Sequence, residues 1–320
     1  MILIGHDEPW REWREAAAGG RMHHAWLLTG KSGLGKMQFA VAAARELVAE
    51  PGVHQPAGDH PDIHILTHLP KDEKEDKKQA EGKPFELKRN ITIGQIRAMQ
   101  QRLTTRPTLG ERRAIIIDPA DDMEKSASNA LLKSLEEPPR GTFFLLVAHR
   151  PARLLPTIRS RCRTLRFPLV GDDRMRSLLS HEVPEADHDA VDAAVAAASG
   201  SPGAVLNFIT SNLGPLNTIM RRIAREGDPD FTLRGQLAEA IGTRPDRARI
   251  QAVLDLARAV IGARAQDCTA DEIPVLAQAH SELVTLTGQA PTYNFDAGLL
   301  VMEIGTLLAS TAPTRDRADA

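Results

Sequence analysis

Cysteine is scarce in this chain. Cys162 and Cys268 are the only two among 320 residues, too few for a disulfide framework and in keeping with a reducing compartment. Aromatic side chains make up 4% of the sequence, with a single tyrosine, so no base-stacking surface is legible. An excess of either charge is missing too: 40 basic side chains face 42 acidic ones. Any DNA contact must therefore come from a local patch or from partner chains, not from a global field. No apolar run approaches the ~20 residues that cross a bilayer. The opening residues, Met1 to Asp7, lack the basic segment and apolar core of a signal peptide. These absences give the expectation of a soluble cytoplasmic protein that makes no membrane contact.

Length and pattern then suggest two or three domains. The first half alternates short apolar runs with amphipathic segments, the mark of a parallel sheet covered by helices. Ala25–Leu28, Asp62–Leu66, Ala114–Ile117, Thr142–Ala148 and Thr164–Phe167 read as strands. Met37–Val48 carries a helical pattern, and so does the run from Met123 to Leu135, which Pro138 stops. Lys71–Lys88 mixes both charges with almost no apolar residue and reads as an exposed, mobile loop. After Pro168 the strand signal ends. A short helical stretch runs to Ser199–Gly203, and a second helix carries Val205, Leu206 and Phe208. Four or five amphipathic helices follow from Leu213, and a polar tail starts at Thr311. The expected architecture is α/β: a phosphate-loop domain over residues 1–167, a small helical lid over 168–212 and an all-helical domain over 213–320.

Chemistry concentrates in the first of these. Gly30-Lys31-Ser32-Gly33-Leu34-Gly35-Lys36 matches the Walker A pattern through its lysine, with a strand before it and a helix after it. Backbone N–H groups of such a turn form an anion site with the helix N-terminus, and Lys36 adds a point charge. Gly30, Gly33, Gly35 and Lys36 are the candidate phosphate-binding residues; a glycine-rich turn with a chance lysine is the bland alternative. Met37 then stands where the pattern needs the hydroxyl that ligates Mg²⁺, and a thioether is a poor ligand for so hard an ion. The strand Ile115–Ile117 ends on Asp118, a candidate partner for Mg²⁺. The next residue is Pro119, where an ATPase of this type needs a glutamate to polarise water. Losing a general base costs about 10²–10⁴-fold in rate. With two defects in one site, the chain is expected not to turn over ATP.

Longer motifs extend this picture. His23-His24-Ala25-Trp26-Leu27-Leu28 precedes the phosphate loop, Asp118-Pro119-Ala120-Asp121 occupies the Walker B box, and Asn129–Pro139 reads Asn-Ala-Leu-Leu-Lys-Ser-Leu-Glu-Glu-Pro-Pro. Leu155–Cys162 then contains Ser160-Arg161-Cys162. On these residues the chain resembles the bacterial clamp-loader AAA+ family, and within it the delta-prime type of subunit. The match is densest from Ser128 to Cys162; the C-terminal hundred residues match only in being helical. The resemblance implies that Arg161, within the Ser160-Arg161-Cys162 motif, is an arginine finger supplied in trans to the ATP of a neighbouring gamma or tau subunit. Arginine suits that task as a rigid, permanently charged fork, and such fingers are worth about 10³–10⁵ in rate. Residue type alone would make Arg159, Arg161 and Arg163 ordinary solvated side chains, and Cys162 reads as a small packing residue.

The resemblance further implies a hetero-pentamer with gamma/tau and delta subunits. This ring places a sliding clamp on primer–template DNA and is held together by a collar of C-terminal helices. No cofactor is required, though weakly bound ATP or ADP at the phosphate loop fits the residues retained. Several family features are absent. The four-cysteine zinc module is missing, and His54, His60, His64 and His68 lack the spacing of a tetrahedral site, so no metal is expected. The sensor 1 position falls near Ala148 and the sensor 2 position near Ala204, neither with a hydrogen-bonding side chain. The competing readings are an active AAA+ ATPase of gamma/tau type, against which Met37 and Pro119 speak, and an unrelated phosphate-loop kinase, which has no use for Ser160-Arg161-Cys162.

Overall fold

The computed structural model describes residues 5–20, 22–185, 188–243, 245–266, 268–290 and 296–313. They form two compact units, residues 1–169 and 170–320.

The first unit runs α1 (Asp7–Ala18), β1 (Ala25–Thr29), α2 (Lys36–Val48), β2 (Ile63–Leu66), α3 (Glu73–Ala80), α4 (Ile93–Arg102), β3 (Arg113–Ile117), α5 (Lys125–Glu136), β4 (Thr142–Ala148), α6 (Pro156–Arg159) and β5 (Arg163–Arg166). The five strands make one sheet in the order β2-β3-β4-β1-β5, and every pairing is parallel. The sequence expected these five strands, and their chemistry explains the order. β3 and β4 are apolar almost throughout and sit in the middle, buried on both faces. The edge strands β2 and β5 alternate with polar residues that remain partly exposed. The long connection from β2 to β3 is held by Asp62, just before β2, whose carboxylate accepts the backbone N–H groups of Thr108 at 2.6 Å and Leu109 at 2.8 Å. Just before β4, Gly141 has φ of +75°, and a Cβ there would lie 2.1 Å from the Glu111 carbonyl oxygen, so the turn admits only glycine.

Aromatic residues are few but grouped. Trp13 lies 5.3 Å from Trp26, Trp10 lies 4.5 Å from Phe39, and Phe39 meets Phe167 edge-on at 5.0 Å. They bind α1, β1 and α2 together on one side of the phosphate loop, each contact adding about 0.5–1.5 kcal/mol beyond burial.

The charged stretch 71–88 departs from the expected structureless loop. It contains α3, capped by Asp72, whose side chain accepts from the N–H of Lys74 and Glu75. Glu75 is buried, pairs with Lys78 at 2.7 Å and accepts the N–H of Glu86 at 2.8 Å, while Pro70 bridges to Leu87. Capping and short-range ion pairs stabilise a helix that has no core to bury.

Among its described residues the second unit is helical: α7 (Asp172–Glu182), α8 (His188–Ala198), α9 (Pro202–Thr210), α10 (Gly214–Glu226), α11 (Thr232–Ile241), α12 (Arg247–Arg264), α13 (Ile273–Gln289) and α14 (Ala297–Ser310). One helical stretch was expected before Ser199, and two occur, α7 and α8. The five helices from α10 on agree with the pattern read from Leu213. Asp228, buried, accepts the N–H groups of Leu233 and Arg234 and lies 3.2 Å from the Arg234 guanidinium, fixing the start of α11. Most of the tail expected from Thr311 lies outside the described residues.

Candidate functional site

Three neighbouring strands, β3, β4 and β1, end side by side, and the chemistry gathers at their carboxyl ends, where parallel sheets bind ligands. The loop after β1 turns through Gly30, Gly33 and Gly35 in left-handed or extended positive-φ geometry, with Gly35 at φ +74° capping α2. A Cβ at Gly35 would come within 3.0 Å of the His6 ring. His6 was not singled out in the sequence. It is buried, its Nε2 donates to the Leu34 carbonyl at 2.6 Å, and burial pulls its pKa down. It packs edge-on against Phe39 and Phe167, so a neutral imidazole braces the loop from behind.

Lys36 is 2% exposed and donates to the carbonyls of Gly30 and Lys31, both at 2.7 Å. Burial lowers its pKa to about 8, against the opposing pull of Asp118 and Asp121. Asp118, at the end of β3, is raised to about 6, first by burial and then by Asp121, with Lys36 acting against the shift. One buried oxygen of Asp118 has no hydrogen-bond partner. His149 follows β4, and its Nε2 lies 3.9 Å from Asp118. Burial, and then the Lys36 charge, hold it neutral by lowering its pKa. A hydrogen-bonding side chain thus does close β4, one position beyond Ala148, where the sequence reading found none. The polar residue right after an apolar strand was the available signal. Asp121 is buried beneath this group and accepts the N–H groups of His149 and Arg150, each at 2.9 Å, tying the end of β3 to the end of β4.

Lys36, the loop amides and the N-terminus of α2 fit an anion such as a nucleotide phosphate. The same residues fit Mg²⁺ poorly. Met37 brings no hydroxyl, and Pro119, next to Asp118, brings no carboxylate. Metal and nucleotide chemistry would have to come from Asp118 alone on the metal side and from Lys36 on the phosphate side.

Arg161 sits elsewhere. It precedes β5, whose Arg163 is in register with Trp26 near the start of β1, whereas the phosphate loop leaves the far end of β1. The length of a strand, about 15 Å, separates the two. Arg161 Nη1 donates to the Thr157 carbonyl at 2.9 Å, and Nη2 lies 2.5 Å from Glu136. Ser160 Oγ donates to the same Thr157 carbonyl at 3.1 Å. Cys162 packs on the core of the sheet, and burial pushes its thiol up to about 12, which makes it inert. Ser160-Arg161-Cys162 and the Gly30–Lys36 loop are therefore two sites at opposite ends of one sheet. Of the four histidines weighed as ligands, His60 is buried and structural: its ring holds Gln55 and accepts the N–H of Asp62. Ala204 lies in the first turn of α9, which Ser201 caps.

The model of a protein family described as DNA polymerase III, delta subunit, matches residues 5–170. The chain belongs to this family. Among its relatives is DNA polymerase III subunit delta' of Pseudomonas aeruginosa, 33% identical over 208 residues that cover 61% of this chain and 58% of the relative. The corresponding subunit of Escherichia coli is 32% identical over 58% of this chain and 54% of its own. The alignments span about half the length of these relatives. A solved gamma subunit-related protein of Thermotoga maritima superposes over 95% of this chain and 99% of its own, with 17% identity and a TM-score of 0.49. No helix among the described residues is long and apolar enough to cross a membrane.

Proposed function

We propose that this member of the DNA polymerase III delta family is the non-catalytic, delta-prime-type subunit of a bacterial clamp loader. In this reading it joins gamma/tau and delta subunits in a hetero-pentamer that loads a sliding clamp on primer–template DNA. Its own phosphate loop holds ATP or ADP weakly or not at all, and Arg161 is offered in trans to the ATP of a neighbouring gamma/tau subunit. Residues 168–212 act as lid and 213–320 as collar.

One observation carries this reading: the arginine and the phosphate loop lie at opposite ends of the same sheet. Arg161 is out of reach of phosphates held by its own Lys36, yet partly exposed at the opposite end of the sheet, where a second chain has access to it. The local loop meanwhile lacks both the hydroxyl and the carboxylate that hydrolysis needs. In this arrangement Arg161 neutralises charge that develops on a partner's nucleotide, while Lys36, His6 and Asp121 keep a rigid scaffold. The test is ATP turnover by the chain alone, and then after mixing with the gamma/tau and delta subunits of its own organism. No turnover alone and clamp- and DNA-stimulated turnover in the mixture are expected. Hydrolysis by the isolated chain would show that Met37 and Pro119 had been misjudged and that this is an ATPase of gamma/tau type.

A further inference from the structure

We infer that Glu136 is a positioning residue, a latch that holds Arg161 against its own subunit until a phosphate competes for it. The inference rests on the reading of Arg161 as a finger.

Both terminal nitrogens of the Arg161 fork are engaged within the chain. Nη2 faces Glu136 Oε1 at 2.5 Å, and Nη1 donates to the Thr157 carbonyl. A guanidinium held this way has two of its five N–H donors and its charge turned onto its own subunit, and turning the fork outward to a phosphate breaks the pair with Glu136. Helix geometry gives no reason for a carboxylate at this position. Glu136 ends α5 and Glu137 caps it, and two negative charges at a helix C-terminus oppose the macrodipole. The pairing with Arg161 supplies a compensating gain. The pair is also built to open. Arg161 is 34% exposed and Glu136 48%, and an ion pair so wetted weights an equilibrium by no more than about fivefold. A nucleotide triphosphate carries far more charge than one carboxylate and displaces it. The turn beneath stays fixed when the head leaves, because Ser160 Oγ still donates to the Thr157 carbonyl and Ile158 is buried in the core. Only the head of Arg161 needs to swing.

The experiment is single-turnover ATP cleavage by the reconstituted complex without clamp or DNA, using Glu136→Gln, Arg161→Ala and the double variant, with assembly checked by gel filtration. Arg161→Ala identifies the phase of cleavage that depends on the finger. Glu136→Gln should make that phase about two- to fivefold faster, and the double variant should behave as Arg161→Ala alone, because Glu136 acts through Arg161. An unchanged or slower phase in Glu136→Gln, with Arg161→Ala still impaired, overturns the latch and leaves the finger standing. Acceleration that persists in the double variant also overturns it. If Arg161→Ala removes no phase, the finger reading itself fails and the latch falls with it. Should the glutamine variant not assemble, Glu136→Ala is read by the same criteria.

Discussion

At Asp118, burial and charge pull in opposite directions, and burial prevails. The carboxyl is raised to about 6 although Lys36 stands by to stabilise its anion. Below about pH 4 the group is protonated in the folded and the unfolded chain alike. Between about 4 and 6 the folded chain keeps a proton that the unfolded chain releases, so stability falls as pH rises through this window and levels off above it. Asp118→Asn has no such titration. The variant should therefore gain on the wild type by about 2 kcal/mol between pH 4 and pH 6.5. Urea unfolding followed by tryptophan fluorescence measures this cleanly, because Trp10, Trp13 and Trp26 all lie in the first unit. A difference that does not change with pH would mean that Asp118 is solvated and ionised throughout.

Among the elements, the connection between the ends of β3 and β4 decides whether the site exists at all. Asp121, with its side chain 1% exposed, supplies both acceptors for the N–H groups of His149 and Arg150. Asp121→Ala leaves two part-buried donors without their acceptor and should destabilise the first unit by about 2 kcal/mol, read as a lower urea midpoint in tryptophan fluorescence; a loss below about 0.5 kcal/mol would contradict this role. Sequence and structure agree best where a strand is apolar over its whole length or a glycine sits in a loop of fixed spacing, as in β3, β4 and Gly30–Lys36. They part where a residue's role depends on what folds beside it. Nothing next to His6 in the chain announces that it will brace Gly35, and nothing near Glu136 announces Arg161, 25 positions on. The α4 helix carried a local signal, the capping box of Thr92 and Gln95, yet its weak apolar periodicity hid it. In α3 the composition misled, because caps and ion pairs replaced a buried face.

At the scale of the whole molecule, the proposed reading joins a phosphate loop without the hydroxyl and carboxylate of hydrolysis to an arginine at the opposite end of the sheet, and assigns that arginine's work to a neighbouring subunit. The helical second unit exposes apolar side chains as well, among them Leu299 at 73% and Ile273 at 55%. The central claim is that this chain completes a neighbour's active site without having one of its own. Acid-quenched single-turnover hydrolysis by the complex, with clamp and DNA present, tests it most directly. With Arg161→Ala in an assembled complex, the nucleotide facing this subunit should remain uncleaved, its rate reduced by about 10³-fold or more, while the other bound nucleotides are cleaved normally. Cleavage of every bound nucleotide at the wild-type rate would contradict the account.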